Sequence, residues 1–164
     1  MEETNLLKLH KQYIEGTRPK EYVKVFDVLA GQITSEVKKS INIKNPKVYL
    51  TSKVMKHIYD RHCHDKGQDH VYLFLLENIH LIIKRPDLIR ENRDSRKKRG
   101  EFVFIADIEG ELYACPMEKE SVRKGKKLKG RLSVVTAFKL KRKGRYLIDT
   151  KILFSKHLTP SGIR

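Results

Sequence analysis

The spacing of the hydrophobic residues changes near Pro86. Before this proline, apolar positions recur mainly with the spacing of one helix face, as Ile33, Val37 and Ile41 do. The proline ring disfavours helical geometry in the residue before it, so the helical pattern ends there. This half of the chain is predicted to form helices over 4–15, 32–41, 53–62 and 70–84, and extended segments over 22–29 and 48–50.

Two of these helices carry start signals. Thr51 or Ser52 can cap the third helix by accepting a backbone N–H bond, and Asp69 can cap the fourth. The third helix must stop by Gly67. We expect it to end near Arg61–His62, because the residues that follow are poor helix formers.

After Pro86 the pattern is typical of strands. Glu109–Gly110 is a hairpin signal between apolar runs over 102–108 and 112–117. Residues 132–139 alternate, which would place Leu132, Val134, Thr136 and Phe138 on one face. Further strands are predicted over 87–92 and 146–154, with basic loops over 93–100 and 119–131.

This order of elements predicts an α+β fold in a single domain over 1–164, with its core over about 22–154. N-terminal helices would pack on a C-terminal antiparallel β-sheet. In particular, the helix over 51–62 should lie against at least three antiparallel strands from residues 101–154.

Composition limits the class of protein. No apolar run is long enough to span a bilayer. Cys63 and Cys115 lack the spacing of a zinc finger or a disulfide framework, so both are predicted to be free thiols. The N-terminus is acidic and lacks the apolar region of a secretory signal, which predicts a cytoplasmic protein.

Charge is spread unevenly along the chain. The formal net charge is +16, and residues 82–164 hold 23 lysines and arginines against 10 acidic residues. Such a field attracts polyanions, nucleic acid above all. We expect the basic segments 93–99 and 123–131 to flank one groove that binds nucleic acid.

The segment His57–His64 holds three histidines, an arginine, an aspartate, a tyrosine and a thiol. Histidine carries protons near neutral pH, and arginine can grip an anion with two N–H groups. On a straight helix His57 and Arg61 share a face, whereas His57 and His62 are roughly 140° apart. Either the helix ends near His62, or only one of the two histidines is catalytic.

Metal binding is the alternative use of this cluster. Ligands could come from His57, His62, Cys63, His64, Asp65 and His70. Their spacing fits no zinc pattern, and the HExxH motif is absent, so metal-free acid–base chemistry is the preferred interpretation.

The order of several short motifs resembles the phage and bacterial nucleases grouped as barnase–EndoU–colicin–RelE-like. The motifs are 48–51, His57–Ile58, Arg61–His62, Arg85–Pro86–Asp87, a hairpin and 134–138. The resemblance covers about residues 22–154. It implies helices packed on an antiparallel sheet, with the site where helix meets sheet, and cleavage of RNA without metal, often by a toxin or conflict-system effector.

The resemblance also implies roles for individual residues. His57 and His62 would be the catalytic acid and base, in an order left open, with Arg61 as the phosphate clamp. Thr136 would hydrogen-bond a phosphate oxygen or orient a histidine. Phe138 stands where the family has a tyrosine, so it lacks the phenolic hydroxyl but could still stack on a base. The candidates for binding substrate are Tyr59, Arg96, Lys97, Phe138, Lys139 and Lys141.

These residues predict a metal-independent endoribonuclease that uses the RNA 2′-hydroxyl as its nucleophile and needs no cofactor. Its partner would be RNA, with DNA not excluded, and an acidic antitoxin or immunity protein is a further candidate. The alternative is a basic nucleic-acid-binding module without catalysis. Binding alone needs lysine and arginine but not paired imidazoles, so the histidine cluster favours the enzyme.

Overall fold

The computed structural model of the chain describes residues 5–64, 67–92, 101–140 and 151–156. Its described part is an α+β fold with helices on one face of a mostly antiparallel sheet, as predicted. The helices are α1 (Asn5–Tyr13), α2 (Ser35–Ile41), α3 (Ser52–Tyr59) and α4 (Asp69–Lys84), and a π-helical turn (Asp60–His64) continues α3.

Within the described ranges, eight strands form the sheet: β1 (Asp27–Gln32), β2 (Lys47–Thr51), β3 (Leu88–Glu91), β4 (Phe102–Ile108), β5 (Glu111–Lys124), β6 (Lys127–Val134), β7 (Phe138–Lys139) and β8 (Ile152–Ser155). Their order is β1-β2-β6-β5-β4-β3-β8, and β7 pairs with β5. Only β2 and β6 run parallel among these pairs. Two strands from the N-terminal half therefore extend a sheet that the pattern placed at the C-terminal end.

Helix α4 lies across the sheet and forms the centre of the main core. Seven of its ten apolar residues are buried, as the density of its hydrophobic positions predicted. Met55 and Ile58 bring α3 into the same core. Gly31 of β1 lets α4 approach closely, since a Cβ atom there would lie 3.3 Å from Ile83 Cδ1 and 3.4 Å from the His80 Cα.

Several predicted boundaries shift. The strand predicted over 22–29 begins only at Asp27 and continues to Gln32. The backbone of Lys24 and Phe26 hydrogen-bonds to the Ser52 side chain instead of to a neighbouring strand. The helix predicted over 32–41 starts at Ser35, where the Thr34 side chain caps it. Asp69 is the first residue of α4 rather than its cap, which is Gln68 and makes no side-chain capping bond.

The third helix does not end at Arg61–His62. Thr51 caps it as predicted, accepting the Val54 N–H at 3.1 Å. Regular α-geometry stops at Tyr59, but the chain then continues through the π-helical turn to His64. The Gln68 N–H closes this turn on the His62 carbonyl at 2.6 Å. Wide turns of this kind occur frequently at functional sites.

The prediction of a second basic loop over 119–131 is wrong, because these residues continue two paired strands. Strands β5 and β6 stay in register from Met117↔Val134 to Lys124↔Lys127. Gly125 takes a positive φ of 63°, which suits the tight turn between them. Lysine-rich composition suggested a loop, but cross-strand pairing overrode that preference. The proposed partner loop over 93–99 lies outside the described residues.

The strand predicted over 132–139 is interrupted, and its four residues do not share a face. Val134 stands opposite Met117 and Phe138 opposite Ala114, so the 135–137 segment contains one residue more than β5 does over the same stretch. Since strand side chains alternate with period two, one extra residue turns Phe138 to the other face. There it packs on the smaller cluster formed by Val103, Ile105, Ala114 and Leu140.

Among the residues described, no helix combines the length and the apolar character that a membrane crossing needs. The hairpin predicted at Glu109–Gly110 is confirmed, with β4 bounded as expected. The last strand is described from Ile152, because residues 146–150 of its predicted range lie outside the described residues.

Candidate functional site

An exposed row of cationic side chains follows one face of α3 and the π-helical turn. Lys53, His57 and Arg61 stand at successive four-residue intervals, and all three are exposed. The side chains of these three residues make no ion pair and no hydrogen bond within the described part of the chain. Residues at this spacing lie on neighbouring turns, so the row presents three adjacent donors to an anion. We call this row the cationic stripe.

Beside the stripe lies a pocket of about 380 Å³. One wall is helical and includes Lys53 and His57. The other wall is the irregular segment before β1, which contributes Tyr22, Val23 and Val25. Three apolar side chains therefore meet six charged or polar residues in one concavity, and the polar set includes the carboxylates of Glu21 and Asp60.

A hydrogen-bonded network fixes the position of that irregular segment. Asp60 accepts the Lys20 N–H at 2.9 Å and pairs with the buried Lys56 ammonium, which also donates to the Arg18 carbonyl. Farther along, the Ser52 hydroxyl accepts the Phe26 N–H at 3.0 Å and donates to the Lys24 carbonyl at 2.6 Å. The segment is thus attached to the helix on both sides of Tyr22.

His62 lies on the inward side of the same helix and is only 5% exposed. Its Nδ1 is 3.3 Å from Gln68 Oε1 and its Nε2 is 3.5 Å from the Ala137 carbonyl oxygen. The ring therefore contacts the 135–137 segment that joins β6 to β7. The two histidines of the predicted acid–base pair thus have different environments, since His57 is exposed and His62 is buried.

Thr136 belongs to the segment that His62 contacts. Its Oγ1 is buried and has no hydrogen-bond partner among the described residues. A buried hydroxyl without a partner is costly and is concentrated at functional or strained positions. The structure therefore brings two of the predicted site residues, His62 and Thr136, to the same place where helix meets sheet.

Tyr59 takes part in a cluster of rings rather than standing free. Its ring centroid lies 5.3 Å from those of His10 and Tyr72 and 4.9 Å from that of His64. Inside the cluster, His10 Nδ1 and the Tyr72 hydroxyl are 3.0 Å apart. Burial lowers the pKa of His10 below 6.5, so its neutral form is favoured in the folded protein. These contacts attach α1 to the rest of the fold.

Neither cysteine supplies a ready nucleophile. Both are unpaired, with Cys115 buried and Cys63 half-buried. Burial, and then the charges of Asp69 and Asp60, raise the pKa of Cys63 to about 11. The reactive thiolate is therefore scarce at neutral pH. Within the described ranges, no three His, Cys, Asp or Glu side chains converge as metal ligands would.

The other predicted substrate-binding residues lie elsewhere. Phe138 is on the sheet face opposite the helices. Lys139 is exposed and pairs with Glu111 at 3.5 Å. Arg96, Lys97 and Lys141 lie outside the described residues.

Sequence reasoning missed three groups at the site: Lys53, Tyr22 and the Lys56–Asp60 pair. Lys53 could have been found, because it precedes His57 by four residues as His57 precedes Arg61. The spacing of Lys56 and Asp60 also signals a helical ion pair. Tyr22 gave no signal, since only the path of the irregular segment brings it to the helix.

A comparison with protein-family models identifies the family of the chain. The model described as phage-Barnase-EndoU-ColicinE5/D-RelE like nuclease3 matches residues 28–145. No curated protein and no solved structure shows a significant match to the chain. The matched range covers most of the chain, including the cationic stripe, the buried His62 and the segment with Thr136. The chain therefore belongs to the phage-type barnase–EndoU–colicin–RelE-like nucleases.

Proposed function

We propose that this nuclease-family protein is a metal-independent endoribonuclease that cleaves RNA through the 2′-hydroxyl. The observation that carries the proposal is the cationic stripe, in which His57 stands between two exposed cations that have no ion-pair partner among the described residues. A phosphodiester needs a cation to neutralise its oxygens and a proton-transfer group beside it. The stripe offers both on one accessible surface.

The reaction would proceed by transesterification. A base removes the proton from the 2′-hydroxyl, and the resulting oxygen attacks phosphorus. The bond to the 5′-oxygen breaks, and that oxygen takes up a proton. The products are a 2′,3′-cyclic phosphate and a 5′-hydroxyl. Arg61 is suited to the charge that develops on phosphorus, because its guanidinium can donate two parallel hydrogen bonds.

We assign the two histidines different roles. The exposure of His57 and its place in the pocket wall support direct proton transfer to and from the substrate. The burial of His62, with Nε2 facing the Ala137 carbonyl, supports a positioning role at the segment that bears Thr136. At so open a site, solvent can supply the second proton. The Thr136 hydroxyl remains a candidate for orienting His62 or a phosphate oxygen.

The test is cleavage of a single-stranded RNA by purified protein in EDTA, with product ends identified. Wild type should yield 2′,3′-cyclic phosphate ends, and an RNA with one 2′-deoxy residue should resist cleavage there. His57→Ala should lower kcat by about 10²–10⁴-fold with little change in binding. Arg61→Lys should lower kcat and also weaken RNA binding, because an ammonium cannot reproduce the bidentate hydrogen bonds of a guanidinium. Activity only with added Mg²⁺ would refute the metal-free mechanism.

Matched variants separate the site from general surface effects. His80→Ala and Arg85→Lys change an exposed histidine and an exposed arginine on α4 and at its end, and should behave like wild type. His62→Gln should lower kcat less than His62→Ala does, because glutamine can still donate a hydrogen bond towards the Ala137 carbonyl. An inert wild type that still binds RNA would support the binding module instead.

A further inference from the structure

We infer that the pocket beside His57 is a nucleobase subsite in which Tyr22 stacks on an unpaired base. This inference rests on the proposed function in one respect, that the bound polymer is single-stranded RNA. Tyr22 is 82% exposed, the most of any large hydrophobic side chain among the described residues. It borders a pocket whose opposite wall carries cations.

The ligand is identified by the two kinds of group that meet here. Tyr22 and the half-exposed Val25 offer an apolar surface, with Val23 buried beneath. Lys53 offers positive charge across the pocket and His57 a hydrogen-bonding ring, while the Asp60 carboxylate in the same wall is paired with Lys56. A nucleotide has this pairing of a flat ring and an adjoining phosphate. Proteins that bind single strands combine aromatic platforms with positive grooves in the same way.

Tyr22 is held ready for this role rather than loosely exposed. Lys20 bonds to Asp60 on one side of it, and Phe26 bonds to Ser52 on the other. The Phe26 ring also packs against Tyr13 at a centroid distance of 4.9 Å. With the backbone already fixed, stacking costs only the ordering of one side chain, which preserves binding energy.

Tyr22 is better placed for stacking than the two aromatic residues that the sequence suggested. Tyr59 is enclosed by three other rings, and Phe138 lies across the sheet. Tyr22 instead stands beside the exposed histidine. A base on Tyr22 would place its own phosphate near the cationic stripe, so the subsite would fix which bond meets His57.

The experiment measures binding without cleavage. The probe is a short, fluorescently labelled 2′-O-methyl oligoribonucleotide, which has no free 2′-hydroxyl to react. Tyr22→Ala should raise its Kd by roughly 5- to 150-fold, the usual range for one stacked base. Tyr22→Phe should bind like wild type because the ring is kept. Leu73→Ala, at an exposed apolar position on α4, should also bind like wild type.

A direct signature comes from Tyr22→Trp, since the chain has no tryptophan of its own. Its fluorescence should be quenched by the oligonucleotide and much less by a probe of the same length with abasic sites. The binding free energy lost when Tyr22→Ala is combined with the abasic probe should be smaller than the sum of the two separate losses, because both changes remove the same stacking contact.

The outcomes distinguish this inference from the proposed function. Unchanged affinity in Tyr22→Ala, or no quenching of Tyr22→Trp, overturns the subsite even if wild type cleaves RNA. Tyr22-dependent binding by a protein that does not cleave supports the subsite and refutes the enzyme. If Tyr22→Ala changes only self-association, measured by light scattering, the patch is a protein interface and the inference fails.

Discussion

Replacing Asp60 by asparagine should test how the pocket wall is held. Asp60 pairs with Lys56, whose side chain is 6% exposed, while the aspartate side chain is 19% exposed. Asparagine keeps an oxygen for the Lys20 N–H but loses the negative charge. The change therefore removes the ion pair and leaves the ammonium of Lys56 with the Arg18 carbonyl and the face of the Tyr59 ring.

The magnitude follows from burial. Removing one partner of a buried pair costs about 3–5 kcal/mol, whereas exposed pairs contribute about 0–1 kcal/mol. Because Asp60 is partly exposed and water can screen it, we expect about 2–3 kcal/mol. For a domain of this size, that loss lowers the Tm by roughly 5–10 °C.

Urea unfolding followed by circular dichroism measures this loss directly. Lys56→Met supplies the matched background, because the ammonium that needs a partner is then gone. In that background Asp60→Asn should cost under about 1 kcal/mol, which isolates the coupling between the two residues. A full-size effect of Asp60→Asn in both backgrounds, or less than about 0.5 kcal/mol in wild type, would contradict a buried ion pair.

Two further predictions concern the packing of the helices. Gly31→Val should destabilise the fold by about 1–3 kcal/mol, because its Cβ would already crowd Ile83 and the backbone of His80. Gly130→Val, where nothing lies within 4 Å of the added Cβ, is the control, and equal thermal unfolding of the two variants would count against close α4–β1 packing. Because burial lowers the folded-state pKa of His10 below 6.5, its contribution to stability should be present above pH 6.5 and diminish as the pH falls through the folded pKa. The difference in unfolding free energy between wild type and His10→Asn should therefore shrink from pH 7 to pH 5, and a constant difference would show that His10 is not held neutral.

Local signals in the sequence were sufficient where one element decides its own geometry. Thr51 caps its helix because a hydroxyl at that position can reach the Val54 N–H. Pro86 ends α4 because of its own ring. The β4–β5 hairpin follows from Glu109–Gly110, which take positive φ values of 56° and 85°. The histidine cluster and the excess of positive charge are likewise properties of the chain itself.

The pairing of distant strands decided what local patterns could not. Lysine-rich residues around Gly125 have no strong preference for strands, yet the register of β5 and β6 carries both strands through them. Phe138 was predicted to share a sheet face with Val134, because the alternation of apolar and polar residues continued between them. One extra residue between β6 and β7 reversed its face, and that residue is visible only when β5 is counted alongside.

The sequence by itself determined the fold class, most of the elements and the concentration of histidine and arginine on one helix. These depend on residue types and on spacings within one segment. Only the tertiary structure decided that His57 faces solvent while His62 faces the Ala137 carbonyl, and that Tyr22 stands beside His57. The reason is physical: bonds such as Lys20 to Asp60 and Phe26 to Ser52 join residues far apart in the chain, so no local pattern encodes them.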